Sequence, residues 1–223
     1  MVNIRYLEVV FATQIQPWEI PAFRGAIANM VGWENQDFHN HQKNGGVKYA
    51  YPRIQYKDRN GFSSMVCIGD TVDQMYLVFT DSKKKISFSG KEHRLDVKEL
   101  RLNSFDVKLT KYPIRYKIKR WLPLNQHNFK KYDALESIEE RTKMLQGILI
   151  GNLLSFFKGI NLWVEERIVL DFVKITKIQP LKFKKQKVLA FDGVFDVNVA
   201  LPDHIGLGKG VSVGFGGVEC VKS

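Results

Sequence analysis

The sequence predicts an α+β fold built from two tandem ferredoxin-like domains packed together. Three observations predict it. A strand–helix–strand–strand order of residue patterns occurs twice along the 223 residues. Hydrophobic residues make up 44% of the chain, enough to fill a core, so disorder is not expected. No low-complexity linker separates the repeats, which points to a close-packed pair rather than beads on a string. Two units of about 110 residues fit this length. The boundary is expected near Lys111–Pro113, giving domains at 1–112 and 113–223.

Residues 3–13, Asn-Ile-Arg-Tyr-Leu-Glu-Val-Val-Phe-Ala-Thr, are rich in β-branched and aromatic side chains and read as a strand. Between Trp18 and Val31, Ile20, Phe23, Ile27 and Met30 recur at helical spacing, and Gly32 is a suitable stop. Strands are expected at 47–57 and 62–68, joined by Asn60-Gly61, the strongest short hairpin signal. Asp70 to Thr80 reads as a short helix capped by Asp70 or Thr71. Strand-like residues follow at 86–89 and 93–109.

The pattern then restarts with a strand at Ile114–Leu122, ended by Pro123. Asp133 with Glu136 resembles a capping arrangement for a long helix that runs to residue 157. Its apolar stripe is Ile138, Leu145, Ile148, Leu149, Leu153 and Phe156. Strands at 164–178, 186–199 and 211–221 complete the chain, and no convincing second helix is present in this repeat.

Charge narrows the class of partner. The formal net charge is +11, which favours a polyanion: nucleic acid or an anionic membrane. The sequence shows no apolar run of transmembrane length, no signal peptide and no lipidation motif, so a cytoplasmic protein is expected. Residues 1–112 hold 16 Lys/Arg against 12 Asp/Glu, and residues 113–223 hold 18 against 11. Two acid-free stretches are especially rich in Lys and Arg. One carries Lys108, Lys111, Arg115, Lys117, Lys119, Arg120, Lys130 and Lys131 between Asp106 and Asp133. The other carries Lys174, Lys177, Lys182, Lys184, Lys185 and Lys187 between Asp171 and Asp192. Charge runs are commonly no more than solvated faces, but two one-sign blocks interleaved with strand-forming aromatics favour a polyanion groove.

Near the C-terminus, six glycines fall within residues 206–217, with Lys209 inside the run. Exposed N–H groups beside a cation suit a phosphate chain. The spacing does not fit Gly-x-x-x-x-Gly-Lys-[Ser/Thr], so a nucleotide-binding P-loop is excluded. Cys67 and Cys220 form no Cys-x-x-Cys pair and read as reduced core thiols, with a disulfide formally open.

His93, His127 and His204 are isolated and read as surface or capping residues. His39 and His41 stand two apart after the first helix, near Lys43, Lys48, Tyr49 and Tyr51. Two imidazoles with a neighbouring lysine make an acid–base set for RNA self-cleavage. A base takes the ribose 2′ proton, an acid protonates the departing 5′ oxygen, and a cation stabilises the crowded phosphorus. Imidazole suits both roles because its ordinary pKa is about 6.5. Two other readings stay open: a zinc pair, for which no further ligand stands out beyond Asp37 and Cys67, and ordinary loop histidines. Tyr49, Tyr51 and Tyr56 cannot share one strand face, and at least one is expected to pack in the sheet. Asp192 and Asp196 form no visible carboxylate pair.

The Gly206-Leu-Gly-Lys-Gly210 and Gly214-Phe-Gly-Gly-Val218 runs, the histidine after the first helix and the duplicated layout together resemble the CRISPR repeat-cleaving endoribonucleases of the RAMP superfamily. His39-x-His41, followed by Tyr-x-Tyr-Pro-x-Ile-Gln-Tyr-Lys, is similar to the branch with paired active-site histidines. The resemblance covers nearly the whole chain and implies two ferredoxin-like (RRM-like) domains. It implies a metal-independent, cofactor-free enzyme that cuts repeats in precursor transcripts into guide RNAs, leaving 2′,3′-cyclic phosphate and 5′-OH ends. By position His41 resembles the principal catalytic histidine and His39 its partner; Tyr49, or else Tyr51, matches the tyrosine that positions the scissile phosphate. Lys48 or Lys43 matches an occasional catalytic lysine. Gly206, Gly208, Lys209, Gly210, Gly214 and Gly216 match the Gly-rich loop, with packing and RNA contact as its role. Lys117, Lys119 and Arg120 of the first basic block, and Lys182, Lys184, Lys185 and Lys187 of the second, are the derived RNA-contact candidates. The expected partners are the precursor RNA and other CRISPR effector subunits, with the chain a monomer or homodimer. The competing reading is a non-cleaving RNA-binding subunit of an effector complex. A DNA-binding regulator fits less well, because no helix has the character of a basic recognition helix.

Overall fold

In the computed structural model of the chain, residues 1–39, 50–80, 85–184 and 186–222 are described. They divide into two compact units: an N-terminal unit of Asn3–Asp106 together with Ser212–Gly214, and a C-terminal unit built on Val107–Val211 and the tail from Phe215.

The N-terminal unit starts with strand β1 (Val2–Gln14), helix α1 (Ile20–Val31) and the hairpin β2 (Ile54–Arg59) and β3 (Phe62–Ile68). A 3₁₀ turn at Gly69–Met75, helix α2 (Tyr76–Phe79) and the hairpin β4 (Lys85–Phe88) and β5 (Lys91–Arg94) then lead to strand β6 (Val97–Trp121). The strand order is β2-β3-β1-β6, with β3 antiparallel to both β1 and β2. This is the order of a ferredoxin-like sheet. Asn60 and Gly61 take φ of 52° and 83°, the left-handed pair that a tight hairpin needs. The core gathers around Phe23 of α1, whose ring meets Phe11 at 6.1 Å, Tyr56 at 5.7 Å and Phe88 at 5.8 Å in edge-to-face contacts. Gly32 ends α1 at φ 92°.

The C-terminal unit takes the last part of β6 as its first strand. Helices α3 (Gln126–Ala134) and α4 (Ile138–Gly159) follow, then β7 (Leu170–Phe183), β8 (Gln186–Ala200) and β9 (Gly217–Cys220). β6 pairs with β8 and, on its other edge, with β9, and β8 pairs with β7, so the order β9-β6-β8-β7 repeats that of the first sheet. Leu145, Leu149, Leu153 and Phe156 of α4 are buried, and Trp121, Phe191 and Phe195 are solvent-free core rings. The expected α+β fold with two ferredoxin-like units is the observed one.

Several local expectations are corrected. The strands expected at 93–109 and 114–122 are one 25-residue strand, β6, apart from the short β5 before it. Pro113 does not end it, because an extended strand tolerates a residue without an N–H wherever no ladder bond is required. The long helix is two. Its cap is Ser137, whose Oγ accepts from the Glu140 N–H at 3.0 Å, rather than Asp133 with Glu136. Ile138, expected in the apolar stripe, is exposed as the first residue of α4, and Ile148 is half-buried. Thr71 is not an N-cap: it lies in the turn and reaches back, with its Oγ1 accepting from the Ile68 N–H at 3.1 Å. Of the strand expected at 47–57, residues 47–49 lie outside the described residues, and the observed strand begins at Ile54.

Candidate nucleic-acid interface and histidine segment

α1 and the turn after it bring the first candidate residue to a fixed place. His39 follows the 3₁₀ turn Gln36–Phe38 and is 5% exposed. Its Nε2 lies 2.8 Å from the Trp33 carbonyl oxygen, which only accepts, so Nε2 carries the proton and donates. The two rings lie 4.7 Å apart. Arg24 of α1 donates to the His39 carbonyl and, at 3.1 Å, to Ser212 Oγ. The Tyr56 hydroxyl donates to the Phe38 carbonyl at 3.0 Å. Burial lowers the Arg24 pKa and raises that of Tyr56. The chain entering the residues after His39 is therefore held by three side chains from one unit. His41, Lys43, Lys48 and Tyr49 lie outside the described residues. Tyr51 and Tyr56 are buried, as sheet packing requires of at least one tyrosine.

The Gly-rich segment stands where a second crossover helix would stand in the C-terminal unit, and its glycines are dictated by space. A Cβ on Gly216, at φ 66°, would lie 1.9 Å from the Leu207 oxygen. On Gly208, at φ 93°, a Cβ would strike the Trp121 Nε1 to Asn152 Oδ1 hydrogen bond. Gly206 and Gly216 are buried, Gly208, Gly210 and Gly214 are half-buried, and Lys209 is the exposed residue of the run. In the N-terminal unit Val213 bridges Tyr56 and Gly214 abuts Ile20, which orders the stretch that supplies Ser212 to Arg24. Packing thus accounts for these glycines, and Lys209 is the side chain the loop presents to solvent.

Apart from Lys209, the basic residues expected to contact RNA lie in two regions of the C-terminal unit. Arg115, Lys117, Lys119 and Lys174 line a cleft of about 480 Å³ across β6, β8 and β7. Lys117 and Lys174 both pair with Val194 and so flank it from opposite sides. Within this group Arg115 is held by Asp196 at 2.7 Å, and Lys119 lies 3.6 Å from Glu219. The second group is the tip of the β7–β8 hairpin, with Lys182, Lys184 and Lys187, while Lys185 lies outside the described residues. Two features of the tip work against stability. Lys182 and Lys187 are directly opposed across the ladder, a repulsive like-charge pair. Lys184 adopts φ 47°, where Gly or Asn is less strained. Arg120, at φ 51° in the β6 irregularity, stacks its guanidinium 4.6 Å from the Phe215 ring centroid, and its N–H donates to Asp192 at 2.7 Å.

Sequence reasoning did not pick out Arg24, or the row of rings that the cations lie against. Phe183 and Phe215 are 5.2 Å apart, and Lys184 and Lys209 lie 5.9 and 5.8 Å from the Phe183 ring. The adjacency of Phe183 and Lys184 was the only local signal for it. The remaining histidines have structural settings. His93 stacks on Phe88 at 4.1 Å, His204 sits 3.6 Å from Glu219, and His127 is exposed in the first turn of α3. Cys67 and Cys220 are free, and burial raises the pKa of both. Among the described residues no three His, Cys, Asp or Glu converge as a metal site, and no helix is long and apolar enough to cross a membrane.

Comparison with known proteins decides the family. A model of the Cas6b N-terminal domain matches residues 2–106, and a model of the Cas6b C-terminal domain matches residues 108–221. The chain belongs to the Cas6b family. A crystal structure of Cas6b is 26% identical and superposes with a TM-score of 0.89, covering 99% of this chain and 100% of that one. A crystal structure titled as the CRISPR RNA processing endoribonuclease Cas6b is 25% identical, with a TM-score of 0.76 and coverage of 99% and 100%. An uncharacterized protein of Methanocaldococcus jannaschii is 36% identical over 110 residues, 49% of this chain and 74% of that protein. The expected membership of the RAMP superfamily is thereby sharpened to Cas6b.

Proposed function

We propose that this Cas6b chain is an endoribonuclease that cuts the repeats of CRISPR precursor transcripts into guide RNAs. The observation that carries the reading is the match of the whole chain to a family whose structural relative is titled a CRISPR RNA processing endoribonuclease. The anchoring of His39, two residues before His41, supports the placing of the chemistry. In the proposed reaction the ribose 2′-OH attacks the adjacent phosphorus, a general base takes its proton, and the P–O5′ bond breaks as a general acid protonates O5′. The products are a 2′,3′-cyclic phosphate and a 5′-OH. His41 exchanges the proton with the reacting oxygens, which an imidazole does well near neutral pH. Tyr49 orients the phosphate and Lys48 stabilises its developing charge. His39 acts as the partner that positions this segment, since its Nε2–H is directed to Trp33. No divalent cation takes part. RNA lies along Lys209, the hairpin lysines and the Lys117–Lys119–Arg120 edge of β6, in the cytoplasm.

The test is incubation of the protein with its host's repeat RNA in EDTA. Cleavage at one position is expected from the parent, a loss of at least about 100-fold from His41→Ala, and none from the His39/His41 double alanine variant. A substrate with 2′-deoxyribose at the scissile position should stay intact, because the nucleophile is gone. Undiminished cutting by the double variant sinks the histidine assignment, and tight binding without cutting by the parent supports a non-cleaving RNA-binding subunit instead.

A further inference from the structure

A cleft of about 820 Å³ opens in the C-terminal unit between the first turn of α3 and the β7–β8 hairpin. Its apolar part is formed by Leu124, Phe129, Val188 and Leu189. Lys130, Lys187 and Lys209 also line it, and among the described residues no carboxylate does. Phe129 is 41% exposed, a large ring left in solvent by a helix whose buried anchor is Tyr132. Gln126 and Gln186 add two amide groups.

Each part alone is unremarkable, and the combination is selective. A solvated lysine face needs no apolar floor, and an apolar groove for a greasy segment needs no ring of three cations. An extruded nucleotide needs both: a surface on which a base can stack and cations for the phosphates on either side. The amides suit the donor and acceptor edge of a base. A base inside a duplex is already stacked and paired, so only an unpaired one can reach the floor. A peptide of acidic and aliphatic residues would satisfy the lysines but offers no flat ring to Phe129. Beyond Lys209 lie the half-buried Phe183 and then Arg120, whose guanidinium is held on the buried Phe215 ring.

We propose that this cleft holds one unpaired nucleotide of the RNA, its base stacked on Phe129 and its flanking phosphates on Lys130, Lys187 and Lys209. The inference rests on the RNA-cleaving reading above and adds a recognition element to it. It makes α3, which the sequence patterns did not reveal, part of the specificity of the protein.

The host repeat RNA is prepared with a single abasic residue at each unpaired position in turn, and binding is measured for the parent, Phe129→Ala and Phe129→Tyr. In the parent, one abasic position is expected to weaken binding about tenfold. Phe129→Ala should weaken binding of the intact RNA by a similar factor, and the two losses should not add when combined. Phe129→Tyr, which keeps a stacking face, should bind as the parent does. Losses that add at every position overturn the pocket, as does a Phe129→Ala variant that binds intact RNA normally. Displacement of the RNA by polyglutamate that depends on Phe129 would also overturn it in favour of an acidic peptide. In those cases cleavage by the parent still stands; a parent that binds no repeat RNA overturns both readings.

Discussion

Lys57 occupies the middle of β2 with its ammonium group buried and its Nζ without a hydrogen-bond partner among the described residues. Burial lowers its pKa to about 7, and the Glu8 carboxylate on β1, one strand beyond β3, opposes the shift. Glu8 itself lies 3.6 Å from Arg59, so it is shared between two cations. In the unfolded chain a lysine titrates near about 10.4. Between these values the unfolded state binds more protons, so Lys57 makes stability rise with pH from about 7 upward. The limiting slope is about 1.4 kcal/mol per pH unit. Below about pH 7 both states are protonated and the burial penalty is fully present. Lys57→Met is therefore expected to be more stable than the parent at about pH 6, with the gap narrowing by several kcal/mol towards about pH 10. Urea unfolding of both proteins across that range checks it, and a gap independent of pH would contradict the burial of a charge.

At the scale of elements, two devices can be tested by unfolding. The start of α4 depends on the reciprocal pair of Ser137 and Glu140, so Ser137→Ala should lower stability by about 1 kcal/mol. Asp133→Ala, in the last turn of α3, should change it by less than about 0.5 kcal/mol. The Gly-rich segment offers a sharper contrast between neighbours. Gly216→Ala places a Cβ against the Leu207 backbone at positive φ and should destabilise by about 2 kcal/mol or more. Gly217→Ala meets nothing within 4 Å at ordinary φ and should be close to neutral. Equal effects at the two positions would mean that the loop packs differently. These comparisons separate the glycines that shape the chain from those that do not, which the bare count of six in the run cannot do.

For the whole molecule the net charge of +11 matters through its placement. The hairpin tip concentrates Lys182, Lys184 and Lys187 where pairing and backbone both disfavour them. Replacing all three by alanine should weaken RNA binding and reduce the slope of log affinity against log salt by about 2, each phosphate contact contributing about 0.7. The same substitutions should leave stability unchanged or slightly higher, because the opposed pair of lysines is gone. A weaker affinity with an unchanged slope would remove the tip from the phosphate track.

Much of the fold was readable because it is encoded locally. The hairpin at Asn60-Gly61, the α1 stripe with its Gly32 stop, and β3 at 62–68 each depend on residues within a few positions of one another. The break between α3 and α4 was missed because a capping signal at Asp133–Glu136 competes with the reciprocal one at Ser137–Glu140, which is the one the chain uses. The single strand β6 was read as two because the boundary between the repeats was expected near Lys111–Pro113, and one long extended strand runs through it.

The duplicated α+β layout and the basic character were legible in the sequence alone, since both follow from periodicity and composition, and short motifs carried the resemblance that the family models sharpened to Cas6b. Tertiary structure alone decided which charges and rings meet. Arg24 reaches Ser212 across 188 positions, and Phe129, Lys187 and Lys209 line one cleft from three separate segments. The physical reason is that side-chain encounters of this kind depend on strand order and register, which are set by the burial of the two sheets as wholes. No window of neighbouring residues contains that information.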